Sequence, residues 1–396
     1  MKITDLALFG AKPAFDKPLP IGQLYFPSPE RYEAAFRGIF ERQYYNNNGP
    51  LHEELEAKLQ QFLGVKHAIC VSNATFGLMM VADAMGLSGK VILPSFTFIA
   101  SAHSLSWAGL EPVFCDIDLD THQISLDKVG ALIDKGVSAI MGVNLWGGAC
   151  NPKALAELAD AHGIQLYFDS AHAFGCAVDG VKIANFGRAE VFSFHATKIL
   201  SATEGGCICT NDDDLAARLR SIRPSYGTDK PVNIVRVANA RMSEAQAAIA
   251  LMSLEDFPAN QQNNEVLYRL YETQLKEIPG LHLVKPIGVS FSNYQYLVGS
   301  VDEREFGLPR DVLIDILKAE NVIARRYFYP GVHRSIPYVQ ELPQYLDRLP
   351  NTDSLCGSCI QLPIGARVSA QGVERICGIL LAAHQASAEI RARYAR

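Results

Sequence analysis

The sequence predicts an α/β fold: a mostly parallel seven-stranded sheet with helices on both faces, followed by a smaller C-terminal α+β domain. Three observations carry this. Seven short, near-continuously apolar runs lie between residues 51 and 210, helical patterns alternate with them, and the texture changes after about residue 255. A strand covered on both faces loses the polar alternation of a half-exposed one, and parallel neighbours need the long crossovers that helices supply.

The elements follow in order. LHEELEAKLQQFL repeats Leu51, Leu55, Leu59 and Leu63 at helical spacing. The strands are HAICV (67–71), KVILP (90–94), EPVFCDID (111–118), SAIMGVNLW (138–146), IQLYFD (164–169), AEVFSFH (189–195) and GCICT (206–210). Between them NPKALAELADAHG reads as a helix that starts after Asn151, places Pro152 first and stops at Gly163. A long helix begun by SEAQAAIALMSL leads to NNEVLYRLYETQLKEI, PGLHLVKP, the alternating YQYLVGSV and the helix LPRDVLIDILKAENV. The expected domains are 20–255, large, and 256–396, small, tightly coupled because no flexible linker separates them.

Composition narrows the function. With 396 residues, 48% apolar and 20% charged, the chain is globular and large enough for substantial cores. Its 36 Lys+Arg against 42 Asp+Glu give a charge of −6 and no basic stripe, which argues against nucleic acid. Nine cysteines, an odd count with Cys70, Cys115, Cys176, Cys207 and Cys209 in apolar, strand-like contexts, suggest a reduced compartment. MKITDLALFGAKPAF is too short in apolar residues for a secretory leader, and no run suits a membrane span, so a cytoplasmic location is expected.

Ligands of open α/β sheets bind beyond the carboxyl ends of the strands, so the residues there matter most. Asp169 ends IQLYFD and is followed by Ser170, Ala171 and His172; Ser193 and His195 end VFSFH; Lys198 and then Glu204-Gly205-Gly206 follow. Singly, Asp169 reads as a cap and Lys198 as a solvated lysine. Together they suit pyridoxal phosphate, which needs a lysine for its aldehyde, a carboxylate for its pyridine nitrogen and backbone N–H groups for its phosphate. Ser72-Asn73-Ala74-Thr75 opens a helix and offers such donors, although an ordinary capped turn explains it equally well.

The ordered motifs NNGPLHEELE, VSNATFGL, LPSFTFIASAHS, PVFCDID, FDSAHAFG, FSFHATKILSATEGG, NARMSEAQAA and RRYFYPGVHRSIPY, spread over nearly the whole chain, resemble the DegT/StrS type of fold-type-I pyridoxal phosphate enzymes, mostly nucleotide-sugar aminotransferases. The resemblance implies Lys198 as the Schiff-base lysine, Asp169 as the partner of the ring nitrogen, and Phe98 stacked on the ring. It implies His172 near the phenolic oxygen, and Ala74, Thr75 and Ser193 at the phosphate. Asn239 would cross to the neighbouring subunit's phosphate, which implies a homodimer with shared sites. Arg325, Arg326, Tyr329 and His333 become candidates for the nucleotide-sugar substrate, with an exposed loop as the bland alternative. Ala74 replaces a common glycine, and Asn144 a common histidine. Lys198 argues against the branch that carries histidine there and dehydrates sugars.

The implied reaction moves an amino group from L-glutamate, leaving 2-oxoglutarate, to a nucleotide-linked ketosugar, most like amination of C4 of dTDP-4-keto-6-deoxy-D-glucose. Amination at C3, another ketosugar, or a noncatalytic regulator on the same fold remain alternatives. No G-x-G-x-x-G follows an early strand, so a Rossmann oxidoreductase lacks its fingerprint. His195 reads as a packing group, and Cys356 and Cys359 lack the second ligand pair of a tetrahedral metal site, so no metal is expected.

Overall fold

Twelve strands form among the residues that the computed structural model describes, 6–224, 232 and 236–394; residues 1–5 of the segment read for a leader lie outside them. They are β1 (His67–Val71), β2 (Lys90–Pro94), β3 (Glu111–Cys115), β4 (Val137–Val143), β5 (Gln165–Asp169), β6 (Ala177–Val178), β7 (Val181–Lys182), β8 (Glu190–Ser193), β9 (Gly206–Thr210), β10 (Leu281–Leu283), β11 (Leu297–Val301) and β12 (Cys359–Leu362). The seven apolar runs form one sheet in the order β1-β9-β8-β5-β4-β2-β3. Only β9 runs against its neighbours, β1 and β8, while β2 pairs in parallel with β3 and β4, and β5 with β4 and β8.

Alternate residues of each strand feed opposite layers, the consequence of a period of two. Ile69 and Val71 of β1 join Leu78, Leu105 and Leu215 of covering helices. Ala68 and Cys70 join Leu55, Leu59 and Leu63 on the other face. Those leucines lie on the helix Pro50–Leu63, as their spacing predicted. The helix Pro152–His162 also forms as read: the Asn151 side chain accepts from Ala154 N, and Gly163 closes it at φ 65°.

Four expected strands are trimmed. The run read as 111–118 ends at Cys115, 138–146 becomes Val137–Val143, 164–169 begins at Gln165, and 189–195 ends at Ser193. Asn144, Leu145, Phe194 and His195 leave the ladder to build loops above the sheet. The helix begun by SEAQAAIALMSL is likewise two helices. Glu244–Glu255 starts on a capping box of Ser243 and Gln246, and Phe257–Leu275 restarts after Asp256. Pro258 lacks the N–H that a continuous helix requires.

The second layer of structure is the antiparallel sheet β10-β11-β12. Its core gathers Leu267, Tyr271, Leu313, Ile316, Ile376 and Leu380, with Leu6, Leu8, Phe9 and Leu19 of the N-terminal segment packed on it. The two cores meet in an aromatic cluster where Phe96 and Trp146, from loops after β2 and β4, bury against Tyr296, Phe328 and Cys359. Phe328 stacks on Trp146 at 5.3 Å between centroids and meets Phe96 edge-on at 5.1 Å. Phe328 of this cluster lines the cleft described next.

Candidate active site

The carboxyl ends of β1, β2, β4, β5 and β8 open into one cavity of ≈ 290 Å³. Asn73, Ala74, Thr75, Phe98, Asn144, Asp169, His172, Ser193, Lys198, Glu204, Arg325 and Phe328 are among its lining residues. The fold thus brings Lys198 and Asp169 together although twenty-nine positions separate them in the chain.

Asp169 is the last residue of β5, held between Val143 of β4 and Val191 of β8. Its Oδ2 accepts from Ser101 Oγ at 2.8 Å and its Oδ1 from Ala171 N at 3.1 Å. Burial pushes this carboxyl above its ordinary range, while those two donors and Lys198 hold it down. Lys198 sits in the turn between β8 and β9, whose backbone is pinned by Lys198 N to His195 O and by Ile199 N to the buried Gln295 side chain. Lys198 Nζ donates to the Tyr296 hydroxyl at 2.7 Å. Burial lowers this amine from 10.5 to about 8, against the pull of Asp169 and with the help of Arg325.

His172 lies in the aromatic cluster, 4.1 Å from the Tyr296 ring and 5.3 Å from that of Trp146. Burial keeps it well below 6.5, so the ring is neutral, and its enclosed Nδ1 has no partner.

Across the cavity, the helix Ala74–Ala84 begins. Its cap, Asn73, takes Phe76 N at 2.8 Å, which leaves the first-turn N–H groups of Ala74 and Thr75 for an anion. Gly206 makes the turn possible: a Cβ there would stand 2.8 Å from Ala74 N and from Phe192 O. Ser193 stands beside this turn, and Phe98, 57% exposed, forms a wall of the mouth. A buried amine, a buried carboxylate and an N–H cradle along one cavity fit pyridoxal phosphate.

The remaining candidates separate. Arg325 lines the cavity. Arg326 and Tyr329 instead line an adjoining groove of ≈ 530 Å³. Asn239 lies exposed outside both, its Oδ1 accepting from Arg241 Nε at 2.9 Å. His333 is a correction: it is fully buried, with Nδ1 2.8 Å from Ser95 Oγ and Nε2 3.1 Å from Asp353. Both ring nitrogens are engaged within the fold, so it braces the loop after β2 and does not contact a ligand. His195, exposed and 2.9 Å from Thr197 Oγ1, is a rim residue. Cys356 and Cys359 are buried in the core.

Sequence reasoning missed Ser101 and Tyr296, the direct partners of the two central groups. Their signal was present in LPSFTFIASAHS and NYQYLV but did not say which side chain turns inward. It also missed a buried chain beneath the cavity. Asn144 Nδ2 donates to Ser170 Oγ at 2.9 Å, and Ser170 Oγ donates to Glu190 Oε2 at 2.5 Å. Glu190 Oε1 accepts from Ala184 N and Phe186 N.

Comparison with known proteins agrees with this geometry. Residues 29–381 match the model of the DegT/DnrJ/EryC1/StrS aminotransferase family. A dTDP-4-amino-4,6-dideoxy-D-glucose transaminase of Shigella dysenteriae is 34% identical over 365 residues, 91% of this chain and 98% of that protein. A GDP-perosamine synthase of Vibrio cholerae is 30% identical, over 88% of this chain and 97% of that protein. The crystal structure of DesI in the presence of its TDP-sugar product superposes with a TM-score of 0.95 at 40% identity, over 100% of both chains. The chain therefore belongs to the DegT/DnrJ/EryC1/StrS aminotransferase family, and it is a sugar aminotransferase.

Proposed function

We propose that this aminotransferase takes its amino group from L-glutamate and delivers it to C4 of dTDP-4-keto-6-deoxy-D-glucose, with pyridoxal phosphate held in the cavity above β5 and β8. The observation that carries the reading is the shared enclosure of Lys198 and Asp169, with an amine lowered to about 8. The choice of C4 and of a dTDP-linked sugar rests on the relatives: the Shigella transaminase is named for dTDP-4-amino-4,6-dideoxy-D-glucose, and DesI was solved with its TDP-sugar product.

The cofactor supplies an aldehyde for amines and a ring that accepts electrons from the carbon bearing the nitrogen. Lys198 would carry it, Asp169 would face its ring nitrogen, and Ala74, Thr75 and Ser193 would take its phosphate. Phe98 would cover one face of the ring, and His172 would approach its phenolic oxygen. With its amine at about 8, Lys198 is neutral in about a tenth of molecules at pH 7, far more than an ordinary lysine. Nζ can therefore accept a proton from the substrate carbon, and the Tyr296 hydroxyl at 2.7 Å holds it in place. Asp169, whose carboxylate form is favoured by the donors Ser101 and Ala171, would set a charge opposite the ring nitrogen. A homodimer, with Asn239 reaching the partner's phosphate, belongs to the same reading. The Vibrio relative, named for a GDP-linked sugar, supports a second choice of nucleotide.

Purified protein given L-glutamate and a panel of dTDP- and GDP-linked 4-keto and 3-keto sugars should yield 2-oxoglutarate and a 4-amino dTDP-sugar, identified by NMR. Borohydride should fix the cofactor on Lys198 in a peptide map. A 3-amino product, or an adduct on another lysine, would refute the assignment.

A further inference from the structure

Resting on that reading, we infer that Arg325 binds the α-carboxylate of the amino donor and is not the anchor for the diphosphate of the sugar nucleotide. Among the described residues, the lysine and arginine side chains that line the reaction cavity are Lys198 and Arg325, and Lys198 is the reacting amine. Arg310 pairs with Asp311 and Arg334 with Asp353, while Arg326 lines the outer groove, where its contact with Asp311 is a longer 3.4 Å. Among the described residues no carboxylate is within ion-pair distance of Arg325. Its Nη1 donates to the Tyr327 hydroxyl at 3.0 Å, and its guanidinium lies 5.9 Å from that ring's centroid. The rest of the planar fork is left for a bidentate anion.

The backbone that carries this fork is fixed. Arg325 and Gln361 of β12 exchange backbone hydrogen bonds, 3.1 Å from Arg325 N and 2.9 Å to Arg325 O, so the residue is tied to the small sheet. Its charge also reaches Lys198 Nζ, where it adds to the effect of burial.

Substrate chemistry then chooses between the two anions. In the donor, the α-carboxylate is bonded directly to the carbon that bears the reacting nitrogen. In a 4-ketosugar nucleotide, the diphosphate hangs from C1, across the ring from the reacting C4. A cation that shares the cavity with the reacting amine suits the nearer anion. The outer groove, with Arg326 and Tyr329, suits the farther one, and Arg325 stands at the throat that the two spaces share. Donor and acceptor use the cavity in turn, so one arginine serves the first half of the reaction and the other the second.

The test titrates the holoenzyme with glutarate, which mimics the donor's carboxylates and carries no amine, and separately with dTDP. Arg325→Gln should weaken glutarate about 10–100-fold, the loss of a charged hydrogen-bonding partner, and leave dTDP within about twofold. Arg325→Lys should recover part of the glutarate affinity, and Arg326→Gln should show the reverse selectivity. An unchanged glutarate affinity in Arg325→Gln, or equal losses for both ligands, overturns the assignment. If wild-type holoenzyme forms no 2-oxoglutarate from L-glutamate, the donor reading fails instead, before any variant is compared.

Discussion

Replacing Lys198 by methionine keeps an unbranched side chain one atom shorter and deletes the enclosed amine, and its effect on folding has a sign that pH must change. The fall of the amine from 10.5 to about 8 corresponds to roughly 3 kcal/mol of native-state penalty at about 1.4 kcal/mol per unit. Methionine removes that penalty but also the donor to the Tyr296 hydroxyl, a loss of about 1 kcal/mol. Cofactor-free Lys198→Met should therefore be more stable than wild type by about 2 kcal/mol at pH 7. Between pH 8 and 10.5 the unfolded chain holds this proton and the folded one does not, so wild type gains stability as pH rises through that window. The advantage of the variant should shrink and then vanish near pH 10. Urea unfolding of both proteins at intervals from pH 7 to 10.5 measures the difference directly. A gap that stays constant, or widens with pH, would refute the claim that burial sets the proton affinity of Lys198.

Two further outcomes follow from the same packing. Burial raises Glu190 from 4.5 to about 7. The folded state therefore holds a proton that the unfolded state has lost in that window, and this contribution is full below pH 4.5 and gone above about 7. Glu190→Gln, which cannot titrate, should flatten the wild-type decline in unfolding free energy over that range; an identical slope in both proteins would count against it. Gly206→Ala puts a methyl 2.8 Å from Ala74 N and 2.9 Å from Asn73 C. Because backbone cannot step aside cheaply, cofactor affinity by spectrophotometric titration should fall at least about tenfold; wild-type affinity would show that the turn does not form the phosphate cradle.

The sheet was legible because a strand buried on both faces must be apolar throughout, and β1, β2 and β9 coincide with the runs HAICV, KVILP and GCICT. Asp169 and Lys198 were legible for a related reason: each is a charged residue just after an apolar run, where the fold class places ligands. The partners of these groups were not. Ser101 meets Asp169, and Tyr296 meets Lys198, across 68 and 98 positions of chain, and pairing at that range depends on how helices and loops pack. His333 shows the converse error. A cation in an aromatic loop reads as a ligand contact until Asp353 and Ser95, far from it in sequence, occupy both its nitrogens. The break at Asp256 was written in Pro258, yet the apolar periodicity before it masked the signal.

Burial acts on Asp169 and Lys198 in opposite directions on the pKa scale but toward one result, since each is pushed to its neutral form. What surrounds them then decides which keeps its charge. Asp169 receives two hydrogen bonds that favour the carboxylate, from Ser101 Oγ and Ala171 N. Lys198 has the Tyr296 hydroxyl as an acceptor and the charge of Asp169 in its favour, and Arg325 works against its ammonium. A carboxylate paired with Arg325 cancels that opposition. Arrival of the donor would then raise the proton affinity of Nζ just when it must take a proton from the donor's carbon, and departure of the keto acid would lower it again. With glutarate bound, the amine should titrate at higher pH than in the free protein, and in Arg325→Gln glutarate should leave it unmoved. A lysine that titrates identically with and without glutarate would separate donor binding from proton transfer and leave control to burial and the fixed charges of the site.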